Sequence, residues 1–164
     1  MATAALQVAS PKDFVSCLDV PRSSRTQNWQ LEFKRSTGMS DTSHKIRAYA
    51  RLNVQLRGAC GLKRNWDSYG APAPNQLSLS LASQLLASLK FETLMPTALV
   101  PSAEGGIALY FIANEKTSYI EFRNSGEAIS AMYDLESDPV VEEFYPTSDR
   151  TNRAIREITN YLAG

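Results

Sequence analysis

From residue 41 onward the apolar side chains follow two different spacings, and the change between them organises the chain. Ile46, Tyr49, Leu52, Leu56 and Cys60 recur three or four residues apart, the period of a helix with one apolar face. Asp41, Thr42 and Ser43 stand before them, with short side-chain oxygens suited to the unpaired amides of a first turn. Gly58 and Gly61 weaken and then stop the pattern. The spacing predicts a helix over 41–60, with Arg47, Arg51 and Gln55 lining its other side. Gly70, Pro72 and Pro74 forbid regular structure in the stretch NWDSYGAPAPN, residues 65–75, which reads as a shaped loop. Asn75 is placed to cap a second helix whose apolar positions are Leu77, Leu81, Leu85, Leu86 and Leu89.

After Lys90 the period becomes two. Residues 96–102 (PTALVPS) predict a short strand at a sheet edge, because proline cannot donate to a central ladder. Gly105-Gly106 opens a strand over 107–113, 114–116 is a turn, and 117–123 alternates Tyr119, Glu121 and Arg123 against Ile120 and Phe122. Asn124-Ser125-Gly126 is a hairpin turn, since Asn and Gly tolerate positive φ. Strands over 128–133 and 140–145 follow. Ser148 or Asp149 then caps a last helix with Ile155, Ile158, Tyr161 and Leu162 inward and Arg150, Arg153 and Arg156 outward. The predicted class is α+β: an antiparallel meander of three to five strands, packed by two N-terminal helices and one C-terminal helix.

Residues 1–40 differ from the rest. Trp29, Leu31 and Phe33 alternate with polar neighbours, which suits one short strand over 29–33. Polar stretches flank it, and the sequence reads as a basic, partly mobile arm before a single domain over 41–164.

Charge modifies this picture more than composition does. The net charge is zero, yet residues 1–64 carry eleven Lys and Arg against four Asp and Glu, and 65–164 carry six against thirteen. The two halves can attract each other within the fold or in a homodimer; a basic surface would also suit an acidic protein or, less well, nucleic acid. No apolar run approaches the ~20 residues of a membrane helix, and the first residues lack the pattern of a secretory signal. Two cysteines, Cys17 and Cys60, make no disulfide framework, so a reducing cytoplasm is the expected compartment.

The loop and the first strands carry a recognisable pattern: Trp66-Asp67-Ser68-Tyr69-Gly70-Ala71-Pro72, then Pro101, then Glu104-Gly105-Gly106-Ile107-Ala108-Leu109, then Ile120-Glu121-Phe122 and Gly126. Over about residues 62–134 it resembles an uncharacterised family of short bacterial proteins with a Trp-Asp-x-Tyr-Gly-Ala-Pro loop followed by Gly-Gly-Ile-x-Leu and Ile-Glu-Ile strands. Tyr110-Phe111 stands where that pattern has Glu-Trp. The resemblance implies the α+β architecture and a bacterial or phage setting, and brings no activity, cofactor or site residue with it.

Within the loop, Trp66 and Tyr69 are aromatic anchors of the kind that dominate protein interfaces, and Asp67 is a charge held between them. Their structural alternatives are a plug for the core (Trp66) and an acceptor of turn amides (Asp67). With Arg47, Arg51, Lys63 and Arg64 they form the candidate interaction set for a small non-catalytic regulatory or antitoxin-like partner protein. The main rival is a small metal-dependent hydrolase or nuclease using Asp67, Glu104 and Glu121. Nothing in their spacing makes the oxygens converge as a hard cation needs. Glu121 and Arg123 are expected to pair on a solvated strand face. His44 with Cys60 or Cys17 is a weak nucleophile pair, since Cys60 falls on the apolar side of its helix. No catalytic set, metal or cofactor is assigned, and a nucleic-acid-binding accessory role is a further alternative.

Overall fold

The computed structural model describes residues 41–164 apart from Phe91, Thr93 and 134–137; the arm over 1–40, with the expected strand at 29–33, lies outside the described residues. Two helices, α1 (Asp41–Cys60) and α2 (Gln76–Leu89), precede five strands, and α3 (Ser148–Ala163) follows them. The strands are β1 (Ala98–Ser102), β2 (Gly106–Ala113), β3 (Lys116–Arg123), β4 (Ala128–Tyr133) and β5 (Val140–Phe144). They lie in the order β1-β2-β3-β4-β5 with every neighbouring pair antiparallel. The expected α+β meander is therefore the fold, at five strands. Asn114 and Glu115 both have positive φ, which gives the β2–β3 hairpin a turn matched to the right-handed twist of its strands.

All sheet side chains in the hydrophobic core come from one face: Leu99, Ile107, Leu109, Phe111, Ile120, Phe122, Ala128 and Phe144. The three helices bring Leu52, Leu56 and Ala59, then Leu79, Ala82, Leu85, Leu86 and Leu89, then Ala154, Ile158 and Leu162 to the same cluster. The registers place Ala108, Tyr110, Tyr119, Glu121, Ile129 and Ala131 on the opposite face, and none of these belongs to it.

Four details differ from the spacing-based expectation. Ile46 is 64% exposed: at about 100° per residue it lies some 120° around the helix from Leu52. The buried stripe is set instead by Leu52, Leu56 and Ala59. On α2 the buried set includes Ser78, Leu79 and Ala82, whereas Leu77 is exposed and Leu81 half-buried. Small residues at 78 and 82 suit a helix lying close to the sheet, and the leucine spacing alone could not reveal that. Asp41, Thr42 and Ser43 are already inside α1 rather than before it. The cap of α3 is Thr147, whose side chain accepts from the Arg150 amide, rather than Ser148 or Asp149. Asn75 caps α2 as expected, its Oδ1 accepting from the Ser78 amide at 3.0 Å.

Candidate interaction site

The loop between α1 and α2 is built by its own side chains. Asn65, Ser68 and Gly70 have positive φ, and Asp67 Oδ1 accepts the Tyr69 and Ala71 amides at 2.9 and 3.0 Å. Asn65 Oδ1 accepts the Gly70 amide at 2.7 Å, and Trp66 Nε1 donates to the Pro72 carbonyl at 3.3 Å. The amide bonds, that of Tyr69 foremost, hold the Asp67 carboxyl below its ordinary pKa. Asp67 thus shapes the turn, and Trp66 is half-buried across it. Tyr69, by contrast, projects with 93% of its surface exposed.

A second residue, Asn124, locks this loop to the sheet. Its Nδ2 donates to the Ala73 carbonyl at 2.9 Å, and its Oδ1 accepts from the Asn75 amide at 2.7 Å and from Ser78 Oγ at 3.0 Å. Its carbonyl accepts from Asn75 Nδ2 and its amide donates to Gly105. Gly105 makes room for the junction: a Cβ there would stand 2.7 Å from both Pro72 Cγ and Asn124 Nδ2. Gly106 is equally constrained, because a Cβ would come within 2.3 Å of the Phe122 carbonyl oxygen. The sequence marked Asn124 as a turn residue only; its polar contacts join positions about fifty residues apart and no local signal shows them.

Lys63 and Arg64 adjoin Trp66, Asp67 and Tyr69 in the loop after α1, whereas Arg47 and Arg51 lie on the helix itself. Arg47, Lys63 and Arg64 are exposed. Arg51, exposed on α1, donates to the Thr97 carbonyl at 2.9 Å, and Gln55 Oε1 accepts the Leu99 amide at 3.0 Å. Arg123 makes its ion pairs with Glu104 (3.2 Å) and Glu143 (3.3 Å) rather than with Glu121. Among the described residues no group of three or more His, Cys, Asp or Glu side chains could hold a metal ion. The proposed convergence of Asp67, Glu104 and Glu121 therefore does not occur. His44 and Cys60 sit sixteen residues apart on one helix, about 24 Å along its axis, too far for a nucleophile pair; Cys17 lies outside the described residues.

The edge position expected for 96–102 is that of β1, whereas the edge at β5 was missed by sequence reasoning. The outer edge of β1 is occupied by α1 through Arg51 and Gln55, and proline at 101 removes one further donor. Among the described residues no element packs beyond β5. Val140 and Val141 there are 61% and 56% exposed, and Tyr145 follows them on the surface. Glu142 and Glu143 place one carboxylate on each face of that strand. The alternation of 140–145 was legible; that this strand would be an edge was not. A groove of about 430 Å³ lies between α2 and α3, lined by Leu77, Leu81, Leu85, Phe122 and Pro146 among others.

Among the described residues no helix is long and apolar enough to cross a membrane. Comparison with protein-family models, curated proteins and solved structures finds no match to this chain.

Proposed function

We propose that this protein is a small non-catalytic interaction module, regulatory or antitoxin-like, that takes up an extended segment of another protein along β5. The observation that carries the reading is the asymmetry of the two sheet edges. At β1, α1 engages the outward Leu99 amide and the Thr97 carbonyl just before the strand, while β5 offers a row of backbone groups flanked by exposed valines. Strand addition supplies main-chain hydrogen bonds for affinity and alternate side chains for specificity. The charge on the strand selects the occupant. Pairing with a second copy in the register centred on Glu142 sets that carboxylate against its twin, which is unfavourable. A strand with lysine or arginine at alternate positions meets Glu142 instead, while Glu143 is already paired with Arg123. The acidic partner suited to the basic first half fits less well, because Arg51 is already committed to β1. The bacterial or phage setting implied by the loop pattern, and a cytoplasmic location, belong to this proposal.

The test is a titration of isotope-labelled protein with a synthetic seven-residue peptide of alternating Val and Lys. Amide shifts concentrated at 140–144, and affinity falling at least fivefold in Glu142→Lys, are the expected results. Shifts confined to Tyr69 and its neighbours, or an affinity unchanged in Glu142→Lys, would overturn the reading.

A further inference from the structure

All three helices pack on one face of the sheet, and the other face carries a pattern of its own. Ala98, Tyr110, Tyr119, Ala131 and Val141 form one row across the five strands. In the next row Glu121 and Glu143 stand on either side of Ile129, with Arg123 two residues further along β3. The Tyr110 and Tyr119 rings lie 5.4 Å apart between centroids, and Tyr119 meets Tyr133 edge-on at 6.4 Å. Ala98 and Ala131, the cross-strand neighbours of Tyr110 and Tyr119, are 8% and 2% exposed. Alanines so shielded on a face without helices need larger neighbours leaning over them, which lays the tyrosines along the sheet.

The charged groups of this face leave one carboxylate over. Arg123 is the only cation on it among the described residues, and its two terminal nitrogens go to Glu104 at 3.2 Å and Glu143 at 3.3 Å. Among the described residues Glu121 makes no ion pair. Its Oε1 is shielded with no hydrogen-bond partner, so the carboxylate gains by turning toward a donor. Burial first, and then the Glu121 charge, hold the Tyr119 hydroxyl above its ordinary pKa. The negative charge thus lies close to a ring that stays neutral. Ring faces beside an uncompensated carboxylate suit an organic cation.

Size and charge choose among the occupants. The five strands span about 19 Å from side to side and share about 20 Å of length. The face therefore covers roughly 400 Å², about half of what each partner contributes to a stable dimer. Three carboxylates against one guanidinium would also oppose a second copy, and they disfavour a phosphate backbone, although tyrosines on a sheet otherwise suit stacked bases. We infer that this face docks an arginine side chain of a partner protein, its guanidinium stacked on the Tyr110–Tyr119 pair and its edge donating to Glu121. A guanidinium is planar and weakly hydrated, so it stacks while its edge N–H groups remain free to donate; a lysine ammonium keeps its water on so open a surface. The inference concerns the face and not the β5 edge, and does not depend on strand addition there.

The experiment is a titration of the isotope-labelled full chain with the peptide Gly-Gly-Arg-Gly-Gly, whose glycines give it little tendency to add as a strand. The largest shifts are expected at the ring signals of Tyr110 and Tyr119 rather than at the amides of 140–144. Affinity should fall at least fivefold in Glu121→Gln, and at least threefold when the peptide carries citrulline or lysine in place of arginine. Absence of tyrosine shifts, equal affinity for either substituted peptide, or an affinity unchanged in Glu121→Gln would overturn the inference. Tyrosine shifts that grow with protein concentration alone would assign the face to a second copy. Shifts produced by a single-stranded oligothymidylate but not by the peptide would assign it to nucleic acid, and either result would overturn the inference too. Strand addition at β5 would be untouched by any of these failures.

Discussion

The two edges of the sheet face the same hazard and meet it differently. An unpaired strand edge is a template for another chain. At β1 the hazard is removed by tertiary structure: α1 lies alongside and two of its polar side chains bond to the strand's outer backbone at Thr97 and Leu99. At β5 no described element lies alongside, and the strand carries Glu142 on one face and Glu143, paired with Arg123, on the other. A closed edge contributes to folding, whereas the open one is where the proposed partner strand would add. The contrast teaches that polar residues on an amphipathic helix can close a sheet edge, because the strand offers them backbone partners.

The strongest way to break this contrast is to loosen α1. Leu52 is fully buried in the core between α1, α2 and the sheet, so Leu52→Ala should cost about 2–5 kcal/mol. Denaturant unfolding measures that loss, and amide exchange should show β1 losing protection before β5. A smaller effect is expected at the junction of the loop and sheet. Asn124→Ala deletes bonds to Ala73, Asn75 and Ser78, for an expected loss of about 1–3 kcal/mol. Thermal melts would read that loss; because the strand register is untouched, both edges should keep their present character.

The most direct sharpening is Gln55→Ala, which removes the acceptor for the Leu99 amide at a cost of about 1 kcal/mol. Exchange at Leu99 should accelerate roughly fivefold, by the same conversion, with β5 amides unaffected; equal acceleration at both edges would contradict the assigned role. The smallest effect is pH-dependent. Because the folded pKa of Asp67 is lowered, its contribution is present above the ordinary value of 3.8 and is lost as pH falls through the folded value. The Tyr69 and Ala71 amide signals should move in that acid window, while those of 140–144 report nothing at that group.

The elements were legible because each rests on a local rule. Helix 41–60 follows from five apolar residues at helical spacing, the second helix from Asn75 as cap, and the hairpins from Asn124-Ser125-Gly126 and the 114–116 turn. The loop was half-legible: Asp67 turned out to accept turn amides and Trp66 to span the turn, the structural alternatives to their roles as anchors. Tyr69 kept the exposure an anchor needs. The acidic set failed because Asp67 belongs to a turn and Glu104 to an ion pair with Arg123, and spacing along a chain says nothing about such engagements.

By itself the sequence determined the order of helices and strands, the antiparallel meander and the conformation of its turns, since these depend on neighbours a few residues apart. Only the tertiary structure decided which strand edge α1 would cover, which sheet face would receive all three helices, and that Asn124 would tie together segments about fifty residues apart. Those outcomes depend on how amphipathic elements share one core, a many-body packing choice that no local pattern encodes.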